Sequence, residues 1–189
     1  MSYPLLDIII GTTTLSPLQR LPSTAFTANI TKVINSQRAQ NGTLHTNTLY
    51  KKYNVSISGI AQTMIAQLRY EQERDDFIDL YMIVNRHERI NASGATNTFT
   101  TTRRMRLDDD NIRPTVQYPI GTTIPSASIS SLTNSTLTGS FVLTFTPTGG
   151  TQNLAIEYYP IISGIISDLS STYDWTQDEE TYNLTFQEM

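Results

Sequence analysis

Four separate stretches of this chain alternate apolar and polar residues with a period of two. Between Ala25 and Ile34, Phe26, Ala28 and Ile30 alternate with Thr27, Asn29 and Thr31. Between Lys51 and Ser58, Tyr53, Val55 and Ile57 alternate with Asn54, Ser56 and Ser58. Phe141, Leu143 and Phe145 repeat the pattern in 140–146, and Tyr182, Leu184 and Phe186 repeat it in 181–188. Successive side chains of a strand point to opposite faces, so each stretch buries one face and wets the other. The pattern excludes an all-helical fold and predicts half-buried antiparallel strands. Phe77 to Val84 is almost continuously apolar and reads as a more deeply buried strand.

One segment has a helical period instead. Ile60, Ala61, Met64, Ile65 and Leu68 fall on a single stripe, with Ser58 and Gly59 as punctuation before it. The spacing predicts a helix over 60–74 between strands at 51–58 and 77–84. The expected fold class is therefore mainly β (α+β): an antiparallel β-sandwich or barrel with one packed helix. Two polar stretches, 91–102 and 120–139, read as loops, and Thr146 to Gly150 as a turn. They offer little apolar area against an ordering entropy of about 1–2 kcal/mol per residue, so neighbouring chains are expected to order them. The 189 residues suit about one domain, or one domain with a large insertion. The expected division is a sheet-plus-helix core in 1–89, a polar, β-rich insertion or second lobe in 90–165, and a strand segment returning to the core in 166–189.

Charge is divided along the chain. Residues 1–106 carry twelve Lys and Arg against seven acids, and residues 107–189 carry only Arg113 against ten acids. The halves are thus +5 and −9, summing to the −4 of the whole, and no charge falls between Pro114 and Ile156. Opposite fields on two faces orient association, so this separation points to a subunit that docks head to tail on copies of itself. Only 16% of residues are charged, below the ~25% of typical soluble domains, as suits a surface built for contact. The net negative charge argues against nucleic-acid binding, and Ile8-Ile9-Ile10 is too short to span a membrane. Met1 to Asp7 lacks the basic and apolar regions of a secretion signal.

The chemical inventory is thin. No cysteine is present, which excludes disulfides and thiol nucleophiles. His45 and His87 stand in no metal-binding or triad spacing. Asp108-Asp109-Asp110-Asn111 lacks the alternation and glycine of a calcium loop. Glu71, Glu73, Asp75, Asp76 and Asp79 single out no catalytic pair. Arg103-Arg104-Met105-Arg106 has no interleaved aromatic residues for nucleic acid and precedes opposing aspartates. The candidate inter-subunit contacts are therefore Arg103, Arg104 and Arg106, with Asp108, Asp109, Asp110, Glu179 and Glu180 as acidic counterparts. No cofactor and no catalysis are expected.

Two segments carry a resemblance. Arg38 to His45 (RAQNGTLH) and then Lys51 to Ile60 (KKYNVSISGI) resemble the opening of small tail proteins of long-tailed bacteriophages, where an Arg and a Gly-x-Leu-His turn lead into a basic strand and a helix. Tyr173-Asp174-Trp175, followed by Thr181 to Met189 (TYNLTFQEM), resembles the last strand of distal tail and baseplate proteins. The resemblance implies a β-sandwich or barrel with one helix, assembled as a ring, commonly six-fold, around the tail axis. The implied partners are copies of the chain and other tail or baseplate proteins, assembled in the host cytoplasm and carried in the virion. A neck or tail-tube position is an alternative. A second reading is a receptor- or carbohydrate-binding sandwich using Trp175, Tyr173 and Tyr158-Tyr159 as sugar platforms. A cell-wall hydrolase is the third.

Overall fold

A computed structural model of the chain describes residues 7–10, 13–15, 25–39, 44–60, 65–74, 77–108, 110–174 and 179–189. The elements run β1 (Asp7–Ile10), β2 (Thr13–Leu15), β3 (Ala25–Arg38), β4 (Leu44–Ile60), α1 (Ile65–Arg74), β5 (Ile78–Tyr81), β6 (Arg86–Ala92) and β7 (Thr98–Thr100). They continue as β8 (Arg104–Met105), β9 (Thr115–Gln117), β10 (Ile129–Asn134), β11 (Gly139–Leu143), β12 (Gly150–Tyr158), β13 (Pro160–Asp174) and β14 (Glu179–Glu188). Among the described residues, the fold is mainly antiparallel β with one α-helix. It divides into two compact units, one holding 79–162 and the other 8–78 with 163–189.

The sheet-and-helix unit is built on the strand order β13-β14-β4-β3. Alternation in the sequence becomes alternation in burial: Tyr53, Val55 and Ile57 of β4 and Tyr182, Leu184 and Phe186 of β14 are buried, with partly exposed residues between them. Register aligns these residues on one face, with Leu184 opposite Ile57 and Phe186 opposite Val55. On the other side of β4, Phe26 lies opposite Ile57 and Ala28 opposite Val55. Helix α1 buries Ile65 and Leu68, and the Arg69 guanidinium lies 5.8 Å from the centre of the Tyr182 ring on β14.

The other unit is a small sandwich. Strands β10-β11-β7 form one three-stranded sheet and β6-β12-β9 another. Phe99, Phe141 and Leu143 of the first share a core with Ala92, Val116, Leu154, Ile156 and Tyr158 of the second. Phe99 and Phe141 stack with ring centres 5.4 Å apart. Gly139 lets the chain pass close at this point: a Cβ there would lie 2.7 Å from Thr101 Oγ1 and 2.8 Å from the Met105 side chain.

Three expectations are corrected by this architecture. Ile60 ends β4, paired with Tyr182, and α1 begins only at Ile65. Ala61 and Met64, also assigned to the helical stripe, lie outside the described residues. Gly59 has a φ of +77°, and the register slips between Tyr182 and Leu184, so a bulge places Gly59 and Ile60 consecutively in the interior. That break in alternation mimics the start of a helical stripe. In 77–84 only Ile78–Tyr81 is strand, with Phe77 and Val84 exposed at its flanks. The polar stretches are not simple loops: 91–102 contains β7, and 120–139 contains β10. Their backbones pair within the chain, Phe99 with Phe141 and Leu132 with Phe141, which supplies order from inside the subunit.

Candidate functional site: two charged ends of one sheet

The register of β3, β4 and β14 sets apart two ends of the long sheet. β14 pairs with β4 from Tyr182↔Ile60 to Gln187↔Asn54. Beyond that point the Tyr53 N–H donates to Glu188 Oε2 at 2.7 Å, closing the edge of β14 with a side chain. β4 nevertheless continues back to Leu44, paired among the described residues only with β3, as far as Arg38↔Leu44. The segment is a two-stranded ribbon, and its nine residues from Leu44 to Lys52 extend roughly 30 Å at the strand rise of about 3.3 Å per residue. A register shift between Val33 and Ile34 puts a bulge in it, which adds twist.

The ribbon is basic. Residues 31–52 contain Lys32, Arg38, Lys51 and Lys52, and no Asp or Glu. The side chains of Lys32 and Arg38 are exposed. The apolar stripe fades along the same strand: Phe26 and Ala28 are half-buried, whereas Ile30, opposite Tyr53, is 53% exposed. β3 is also the outermost strand of its sheet, so among the described residues one edge of its backbone lacks a sheet neighbour.

The opposite end is acidic. β13 and β14 pair down to Tyr173↔Glu180 and Asp174↔Glu179. Residues 168–180 contain Asp168, Asp174, Asp178, Glu179 and Glu180, and no Lys or Arg. Because β14 runs antiparallel to β4, this hairpin end lies beside Ile60, at the far end of β4 from Leu44. Sixteen residue steps separate Leu44 from Ile60, roughly 50 Å, and nine separate Lys51, opposite Lys32, from Ile60, roughly 30 Å.

The expected arginine cluster sits differently. Arg106 is 2% exposed and holds Asp108 in a two-point grip, Nε to Oδ1 at 3.1 Å and one terminal nitrogen to Oδ2 at 2.7 Å. It also donates to the Met82 carbonyl at 3.2 Å and lies 5.4 Å from the Tyr81 ring centre. Burial pushes the Asp108 carboxyl up, but the Arg106 hydrogen bonds and charge outweigh this and hold it below the usual carboxylate range. Arg104 pairs with Asp79, and Arg103 is half-buried. The Met105 N–H donates to Asn134 Oδ1 while Asn134 Nδ2 donates to the Met105 carbonyl, both at 2.8 Å, locking the strand in place. Asp110 meets Arg113 at 2.7 Å on the surface, and Asp109 lies outside the described residues. Glu179 opposes Asp174 in β14, and Glu180 is half-buried opposite Tyr173.

A second charged cluster ties the sandwich together. Glu88 Oε1 accepts from Tyr158 Oη and Arg86 Nε, both at 2.5 Å, and from the Thr102 hydroxyl; Oε2 accepts from the Thr102 N–H at 2.9 Å. Burial raises the carboxyl's pKa, yet these donors together bring it below the usual Glu range. The Tyr158 hydroxyl is pushed up by burial and by the adjacent carboxylate. A carboxylate so engaged is an anchor for β6, β12 and the 101–106 segment.

Other candidates fall apart in space. Glu71 is buried and bonds Gln67, Glu73 is exposed, Asp79 holds Arg104, and Asp75 and Asp76 lie outside the described residues. His87 is exposed on β6, and His45 belongs to β4. Among the described residues, no three His, Asp or Glu gather as metal ligands. Tyr158 is 1% exposed and unable to serve as a sugar platform, Tyr173 is exposed, and Trp175 lies outside the described residues. A shallow cleft of about 270 Å³ in the sandwich is lined by Leu107, Arg113, Pro114, Ile129 and Leu132 together with serines. That lining has no aromatic ring to stack on a sugar. No described helix is long and apolar enough to cross a membrane.

The ribbon's charges escaped the sequence reading, although a countable signal was present: twenty-two consecutive residues, 31–52, with four cations and no acid. Glu88 gave no such signal, because Thr102 and Tyr158, two of its partners, lie 14 and 70 positions away. No protein-family model matches this chain, and no curated protein matches it.

Proposed function

We propose that this chain is a structural subunit of a long-tailed bacteriophage tail, a distal tail or baseplate component that assembles with its copies into a ring around the tail axis. The observation that carries the assembly part is the polarity of the long sheet, with a basic ribbon overhanging one end and an acidic hairpin at the other. Contacts between unlike surfaces generate rings when the rotation between copies closes. The +5/−9 division of the chain supports the same reading, as do the resemblances at Arg38–His45, Lys51–Ile60 and Thr181–Met189. The role is mechanical: copies locate one another, and the ring seats further tail proteins.

Electron microscopy of the purified protein and of tailed particles tests the proposal. The expected images are closed rings with an axial opening, and an antibody raised against the chain should label one end of the tail. Single particles of one copy at every concentration, with no tail labelling, would overturn it.

A further inference from the structure

The two charged ends cannot neutralise one another within one copy. Lys32, opposite Lys51, lies nine strand positions from Ile60, roughly 30 Å, and Arg38, opposite Leu44, lies sixteen, roughly 50 Å, whereas fields between exposed charges decay over roughly 8 Å at physiological salt. Among the described residues, the basic end is two strands only. A two-stranded hairpin is marginally stable in water without a third strand or a covering layer. Residues 31–38 and 44–52 form such a ribbon, with an outer β3 edge and an exposed Ile30 at its root. Something anionic and extended would cover it well. The end of β13 and β14 has that chemistry, with Asp174 opposite Glu179 and with Glu180 beside them, against Lys32 and Arg38 exposed on the ribbon.

We infer that the basic ribbon of one copy is the docking surface for the acidic β13–β14 hairpin end of a second copy. The inference rests on the self-assembly in the proposed function and names the contact that makes it. Lys32 and Arg38 face the partner copy's hairpin, with Glu179 and Glu180 among its acids. Each copy offers one ribbon and one hairpin, so every copy binds two neighbours in the same sense.

Charge exchange tests this with the full chain, reading mass in solution by light scattering and fold by the thermal unfolding midpoint. Lys32→Glu with Arg38→Glu should keep the midpoint and lose assembly at least tenfold in concentration dependence. Adding Glu179→Lys and Glu180→Lys to that chain should restore it. If the acidic positions prove necessary for folding, the ribbon variant alone remains decisive, since its loss of assembly must match that of the wild type in high salt. Wild-type assembly that persists unchanged in the ribbon variant would overturn the contact while leaving the ring intact. A wild type that stays single at all concentrations would overturn both. Duplex DNA binding to the ribbon while copies stay apart would also overturn the inference, in favour of a nucleic-acid partner.

Discussion

The sandwich and the sheet-and-helix unit handle charge in opposite ways. In the sandwich, Arg106 grips Asp108, Arg104 pairs with Asp79, and Glu88 collects donors from Arg86, Thr102 and Tyr158. These groups find their partners inside one chain. In the sheet-and-helix unit, Lys32 and Arg38 are exposed on a ribbon that outruns its neighbouring strand, and Asp174, Glu179 and Glu180 lie at the other end of the sheet. A run of like charges such as Arg103 to Arg106 therefore says less about docking than its length suggests. Register decides which charges can find partners inside the chain and which lie too far from them.

The comparison can be pressed hardest through α1, whose Arg69 lies beside Tyr182 of β14. Leu68 is fully buried on α1, and Leu68→Ala should cost about 2–5 kcal/mol, the range for truncating a buried Leu. Denaturant unfolding would show this, and assembly should fall in parallel. An unchanged midpoint would mean that the helix does not support the sheet.

Arg106→Ala sharpens the contrast from the other side. It should cost about 3 kcal/mol, near the lower end for breaking a buried pair because Asp108 still reaches water, with lost packing of the Arg stem included. The salt dependence of assembly in the surviving folded protein should match the wild type. A shifted salt dependence would return this arginine to the interface.

Glu88→Gln should cost about 1–2 kcal/mol at pH 7, since it turns charge-assisted hydrogen bonds into neutral ones. Folding holds this carboxyl below its ordinary range, so its stabilisation is complete above the unfolded pKa and fades as pH falls through the folded value. Unfolding curves of the two proteins should therefore converge below about pH 4. A gap that persists undiminished in strong acid would show that the effect is packing, not ionisation. At the small end, Lys32→Glu with Arg38→Glu should move stability by no more than about 0.5 kcal/mol, as for exposed surface positions.

Much of this architecture was legible in period-two alternation. The strands around Phe26, Val55, Phe141 and Leu184 follow it, because each has one face against a core and one against water. The helix start was not legible, since the Gly59 bulge sets two residues inward in succession and imitates a helical stripe. β7 and β10 were obscured by composition: Thr98, Thr100, Ser131 and Thr133 are small and polar, and the ladder with β11 holds them. The ends of the sheet were the hardest to foresee. Lys32 and Glu180 are 148 positions apart in sequence, and only the pairing of β14 with β4 shows that they mark opposite ends of one sheet.

The most direct test of that polarity is the mass of the native full-length chain in solution, measured by sedimentation from low salt to about 1 M, where the screening length shrinks to about 3 Å. Head-to-tail electrostatic docking predicts a multi-copy species of fixed number at low salt that dissociates to single copies as salt rises. A mass independent of salt, whether one copy throughout or a ring throughout, would contradict it.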